Sequence, residues 1–174
     1  MTDQQALTLI RFRPVHLSLL LEYLHQLGAD TRMRFAPHPF TQEALNDLFI
    51  RQSFRYEGHI ACIHDQIVAY NIIRRGWPVY DQPRLKLYGL QADDRTDALF
   101  APSVADAWQG KGIGSQLWDF TITRLQQQGF RRLLLWGGVQ SSNTRALRYY
   151  TKKGFRQLGS FEYHGLNHDM LLEW

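Results

Sequence analysis

Three glycines, Gly110, Gly112 and Gly114, stand close together in the segment WQGKGIGSQLW, after an apolar stretch and before a helical pattern. Glycine has no Cβ to hold a ligand off the backbone. The first turn of a helix presents N–H groups without intrahelical acceptors and a partial positive charge. Together these features suit a phosphate or pyrophosphate. The spacing G-x-G-x-G fits neither the dinucleotide fingerprint G-x-G-x-x-G nor the P-loop, whose Gly-Lys-Ser/Thr ending is absent. A glycine-rich turn with no ligand is the remaining alternative. A second constellation follows in NTRALRYYTKKGF, where Asn143, Ala146 and Tyr150 are three, four and seven residues apart. On a helix they share one face, and Ala146 leaves room there for a ligand.

The elements that position these residues can be read from pattern. Leu7 to Arg13 is β-compatible; Pro14 opens a helical run with Leu17, Leu20, Leu21, Leu24 and Leu27, closed by Gly28. Thr41 starts a second helix reaching about Arg51. His59 to Arg74 reads as a hairpin with Asp65-Gln66 between its apolar runs, and Gly76 to Thr96 as a long loop with room for one short element. Leu99 to Val104 is a strand, Ile113 to Gly129 a helix with its stop, and Leu133 to Trp136 a short buried strand. Ser142 or Asn143 caps a helix through Tyr150 that Gly154 ends, and two last strands flank Gly165-Leu166-Asn167. This order of strands and helices predicts an α/β or α+β sheet with helices on its faces, in one domain over residues 1–174.

The segment VADAWQGKGIGSQLW resembles the Gln/Arg-x-x-Gly-x-Gly/Ala signature of the GNAT superfamily of acyl-CoA-dependent N-acetyltransferases, with Gln109, Gly112 and Gly114 at the matching positions. Asn143, Ala146, Tyr150, Gly154 and Phe155 look like that family's Asn-x-x-Ala-x-x-x-Tyr stretch with its closing Gly-Phe. The resemblance covers Leu99 to Phe155. It implies a GNAT-like fold: a central mixed, mostly antiparallel, splayed sheet of about seven strands with helices on both faces. It also implies acetyl-CoA as co-substrate, bound at Gln109 and by pyrophosphate donors in Gly110, Lys111, Gly112, Ile113, Gly114 and Ser115. Pro102, Ser103 and Val104 would pair their backbone with the pantetheine arm.

The same resemblance gives Asn143 a hydrogen bond to the coenzyme and makes the Tyr150 hydroxyl the acid that protonates the departing thiolate. A phenol with a pKa near ~10 matches a thiolate of similar basicity. Tyr149 is the rival, turned about 100° away on the helix. The implied reaction is direct attack of an amine, on a small molecule or a protein, upon the thioester. A non-catalytic acyl-CoA-binding or regulatory module of the same fold is the alternative.

This sequence departs from the family where some members carry a carboxylate, because Gly138 stands there. The base is therefore open among Glu57, His59, His64, Asp97, His164 and His168, or a water chain. Arg34, Phe35, His38, Phe40, Trp77, Tyr80, Tyr88 and Arg95 either line an acceptor pocket or pack loops. His164 and His168 are four apart in a β-like segment, which does not suit a metal, and none is expected.

The formal charge of +4 comes from scattered basic residues rather than a patch, so no nucleic-acid partner is expected. The start MTDQQALTLIRFR lacks a basic region followed by a long apolar segment, and no run of roughly 18 apolar residues occurs, so neither export nor a membrane is expected. One cysteine, Cys62, excludes a disulfide framework and fits a cytoplasmic protein, with Cys62 read as a small buried hydrophobe. The resemblance is compatible with a homodimer.

Overall fold

The computed structural model describes residues 6–174 and divides into two compact units. The strands are β1 (Leu7–Arg11), β2 (Tyr56–Ile63), β3 (Gln66–Arg75), β4 (Asp97–Val104), β5 (Arg132–Leu135), β6 (Val139–Gln140), β7 (Arg156–Glu162) and β8 (Leu166–Glu173). The helices are α1 (Leu17–Gln26), α2 (Ala29–Arg34), α3 (Gln42–Asn46), α4 (Gln82–Leu87), α5 (Ile113–Gln127) and α6 (Thr144–Lys152). The strands form one mixed sheet in the order β1-β2-β3-β4-β5-β8-β6, with β7 paired to β8. β4 and β5 run parallel, while β1–β2, β5–β8, β6–β8 and β7–β8 are antiparallel.

Of the described residues, the first unit takes 6–73 and 101–125. Its helix α1 buries Leu17, Leu20, Tyr23 and Leu24, as the leucine spacing predicts. Thr41 caps α3 by accepting the Ala44 N–H, and the helix runs on through a π-helical turn, Asp47–Arg51. Two faces of its sheet are covered by different helices. Side chains alternate along β4, and Ser103 meets the Tyr23 hydroxyl of α1 at 2.9 Å, whereas Val104 faces Gly114 of α5. Ile113 and Leu117 of α5 complete an apolar cluster with Ala61, Ile63, Val68 and Ala69.

The second unit takes residues 74–100 and 126–174. Trp77, Leu85, Leu90, Leu99, Leu134 and Leu171 form its core. Here the long connection between β3 and β4 is not idle chain, because it contains α4. Arg84 of that helix bonds both carboxylate oxygens of Asp169 (2.8 and 3.2 Å), pairs with Asp81 at 2.8 Å and lies 3.9 Å over the Phe161 ring. Tyr88 donates its hydroxyl to the same Asp169. A forked guanidinium shared by two acids fixes a helix too short to hold itself.

Several sequence expectations need correction. The β2–β3 turn is His64–Asp65, with His64 at φ 52°, and Gln66 already belongs to β3. Helix α2 and the two-residue strand β6 carry too few residues to show a period, and the eight strands agree with the expected sheet of about seven. Cys62 is half-buried, because it alternates to the side opposite buried Ala61 and Ile63. Among the described residues no helix is long and apolar enough to cross a membrane.

Candidate functional site

The glycine-rich loop is anchored before it begins. After β4 the chain makes a single 3₁₀ turn, Asp106–Trp108. The Asp106 carboxylate accepts the Thr31 hydroxyl at 2.6 Å and the Gly28 N–H at 2.8 Å, and these bonds hold its pKa below the ordinary carboxylate value. Gln109 then donates its amide to the Val104 carbonyl and to Thr31 Oγ1, both at 3.2 Å. Gly110 and Gly112 follow with φ 77° and 82°, a left-handed backbone that L side chains adopt at a cost. A Cβ on Gly112 would meet nothing within 4 Å, so its requirement is the turn itself.

Gly112 also closes the helix start, its carbonyl accepting the Gln116 N–H at 3.1 Å. Ile113 and Ser115 precede Gln116 in the first turn of α5, where an N–H has no carbonyl four residues back within the helix. Gly114 lets α5 approach β4: a Cβ there would lie 3.2 Å from Val104 Cγ2. The exposed Lys111 ammonium lies 4.6 Å over the Trp108 ring. A helix N-terminus, two left-handed glycines and a lysine converge on one surface, a cradle that suits an anion.

β4 leads into this cradle with half of one edge open. Its pairing with β5 runs from Asp97↔Arg132 to Phe100↔Leu135, and Trp136 N–H to Phe100 O is the last bond. Ala105 N–H bonds Val68 O on β3, so alternation aims the main chain of Pro102 and Val104 the other way. Pro102 supplies only a carbonyl there, which is why a proline is tolerated inside this strand. Val104 supplies an N–H beside the carbonyl that Gln109 holds. The Ser103 side chain belongs to the core, bonded to Tyr23 and to the Tyr70 carbonyl, so only its backbone could serve a ligand.

In the second unit Asn143 is the N-cap of α6, its Oδ1 accepting the Ala146 N–H at 3.2 Å. A ligand hydrogen bond from Asn143 therefore falls to its Nδ2. Tyr150 is buried, 8% exposed, edge-on to Phe155 at 5.4 Å and to Tyr149 at 5.3 Å. Burial first, and the neighbouring Tyr149 second, push its phenol pKa well above 10. Tyr149 is half-buried, in keeping with its different direction on the helix.

The base candidates separate by geometry. Asp97 is fully buried, fixed by Arg132 at 2.7 Å through both oxygens and by the Asp93 N–H at 2.7 Å; it is a structural acid. His59 is equally buried, with Nε2 2.7 Å from Glu57 and Nδ1 2.9 Å from Thr121 Oγ1, which also accepts from Asn71. With Nε2–H donated to the carboxylate, Nδ1 accepts the threonine proton, and a neutral imidazole satisfies every group. His64 and His164 occupy exposed left-handed turn positions. His168 Nδ1 bonds Ser160 Oγ at 2.8 Å and Gln157 at 3.0 Å.

The residues of the middle segments divide as well. Phe35 and His38 pack on Tyr70 in the first unit with Phe40 against both of them, and Trp77 is buried in the second, while Arg34, Tyr80 and Arg95 are exposed. Among the described residues no group of His, Cys, Asp and Glu could hold a metal ion. Thr31 and Asp106, which brace the cradle, were not legible beforehand, because they lie 75 residues apart.

An open strand edge running into a glycine-led helix N-terminus, within a mixed and mostly antiparallel sheet, is an α/β arrangement that suits an anionic ligand. The sequence matches the acetyltransferase (GNAT) family over residues 20–155, and the chain belongs to that family. The GNAT domain of S. lividans PAT is similar in fold, with TM-score 0.75 and 18% identity over 95% of this chain and 89% of that one. So is yncA, a putative acetyltransferase from Salmonella typhimurium solved with its cofactor acetyl-CoA: TM-score 0.71, 18% identity, 97% and 94% covered. Mycothiol acetyltransferase from Jonesia denitrificans is 39% identical over 61 residues, 35% of this chain and 19% of that protein. The match thus spans about a fifth of that relative's length.

Proposed function

We propose that this chain transfers an acetyl group from acetyl-CoA to an amine by direct attack. The carrying observation is the cradle, in which Gly110 and Gly112 turn left-handed at the start of α5. Family membership and the acetyl-CoA found with yncA support the choice of anion. The residues fit the group: the space beside Gly112 is open where a Cβ would stand, and Lys111 adds a cation. The α5 N-terminus from Gly110 to Ser115 holds the pyrophosphate. Pro102 and Val104 take the pantetheine amides as a neighbouring strand would.

The coenzyme supplies an acyl thioester, and the chain orients it. As the neutral amine adds to the carbonyl, charge builds on the oxygen and a backbone N–H donor stabilises it. Tyr150 then gives its proton to the sulfur as the C–S bond breaks, the new ammonium loses its proton to water, water returns one to Tyr150, and no covalent enzyme intermediate is needed. Calorimetric titration with acetyl-CoA tests the reading: one site per chain is expected, abolished by Gly112→Asp. Absence of binding by the native chain overturns it.

The second reading, a module that binds acyl-CoA without turnover, is favoured by Gly138, where the carboxylate of some relatives cannot stand. A Cβ there would lie 2.8 Å from a backbone oxygen. Thiol release with a panel of small amines separates the two readings, since a module binds acetyl-CoA and releases nothing.

A further inference from the structure

The first unit contains a cavity that the proposed reaction does not use. It lies where β1 ends and β2 begins, has a volume of about 190 Å³, and is lined by Arg11, Arg13, Phe49, Ser53, Tyr56 and Glu57, among others. Its floor is aromatic: the Phe12 and Phe49 rings are 4.5 Å apart. Gly58 makes this possible, because a Cβ there would stand 2.9 Å from Phe12 Cβ and 3.3 Å from Phe49.

Charge around the cavity is unbalanced. Arg11 and Arg13 are two residues apart on extended backbone, so their side chains leave the same side. Arg11 reaches Glu57 only at 3.5 Å, through Nε, with 54% of its side chain exposed. Arg13 is in no ion pair among the described residues. Glu57, the acid of the lining, has the closer partner His59 at 2.7 Å. Two guanidinium groups therefore border a cavity with one carboxylate, Glu57, which lies 3.5 Å from Arg11 and 2.7 Å from His59 and leaves Arg13 as the uncompensated charge.

We infer that this cavity binds a small aromatic monocarboxylate, its carboxylate on Arg11 and Arg13 and its ring on Phe12, Phe49 and Tyr56. Guanidinium matches a carboxylate in a bidentate fork, and the aromatic floor takes a flat apolar body. At roughly 30 Å³ per water, the volume equals about six waters, the size of one substituted ring. A phosphate would satisfy the arginines and leave the aromatic floor empty.

The inference is independent of acetyl transfer and is read by binding alone. The full chain is titrated with benzoate and followed through backbone amide NMR shifts, with inorganic phosphate and benzyl alcohol in parallel. Saturable one-to-one binding is expected, with shifts concentrated in 11–13 and 49–58. Arg13→Ala and Arg11→Gln should each weaken it on the order of tenfold. Arg13 is exposed, so its variant tests the site without threatening the fold. Shifts that do not saturate, unchanged affinity in both variants, or equal binding of phosphate or benzyl alcohol would each overturn the assignment.

Discussion

A Cβ on Gly138 would stand 2.8 Å from the carbonyl oxygen of His168. The neighbouring strand thus occupies the space that a side chain at 138 needs, with Phe161 Cε1 on a second side at 3.0 Å. Residue 138 also has φ 69°, so a substituent meets backbone strain and a backbone clash together. Gly138→Glu should therefore install no working base. It should cost about 2 kcal/mol or more in urea unfolding. Gly137→Ala is the control: φ is 75° but nothing lies within 4 Å, so about 1 kcal/mol is expected. Equal costs for the two variants would mean that strain alone, and not His168, excludes the side chain.

That clash explains why Gly138 could be named from sequence and not understood there. Glycine chemistry is local, so the cradle of 110–115, the cap at Asn143 and the stop at Gly154 were legible from neighbours in the chain. The partners that brace them are remote. Asp106 meets Gly28 across 78 residues, Arg84 meets Asp169 across 85, and no local pattern reports either. Asp97 illustrates the consequence: alone at a strand start it resembles a base, and only the Arg132 fork identifies it as structural. The sequence places the β2–β3 turn one residue late because a histidine, His64, takes the left-handed position that glycine or asparagine usually marks.

If Tyr150 is the acid, Tyr150→Phe should lower the rate of thiol release by about 10²–10⁴ and leave the acetyl-CoA dissociation constant near the native value. Burial raises the phenol pKa, so the native acid keeps its proton throughout the ordinary working range. The native rate should then show no loss of acid on the alkaline side up to pH 10. An alkaline decline near pH 9 that vanishes in Tyr150→Phe would contradict the buried phenol described above.

The Asp97–Arg132 pair makes a prediction about stability. Both carboxylate oxygens are at 2.7 Å from the guanidinium, Asp97 is fully buried, and Arg132 also lies 4.9 Å over the Trp77 ring. Removing one partner leaves a charge without compensation. Asp97→Ala should cost about 3–5 kcal/mol. Asp97→Asn keeps an acceptor for the Asp93 N–H and should cost less. In folded protein neither change should alter the pH profile of the reaction, and a shifted basic limb would return Asp97 to the list of bases.

The Glu57–His59–Thr121 chain predicts how stability follows pH. Burial outweighs the opposing bond to Glu57 and lowers the His59 pKa from 6.5, and burial also lowers His38 and His16. A histidine whose folded pKa lies below its unfolded one binds its proton more readily in the unfolded chain. Its stabilisation is full above pH 6.5 and is lost as pH falls through the folded value. The urea midpoint should therefore decrease between pH 8 and pH 5, a window above the ordinary range of carboxylates. His59→Gln keeps a donor for Glu57 and removes the titrating ring, so it should lower stability at pH 8 yet flatten the decrease. A midpoint that falls just as steeply in His59→Gln would show that the imidazole is not held neutral between Glu57 and Thr121.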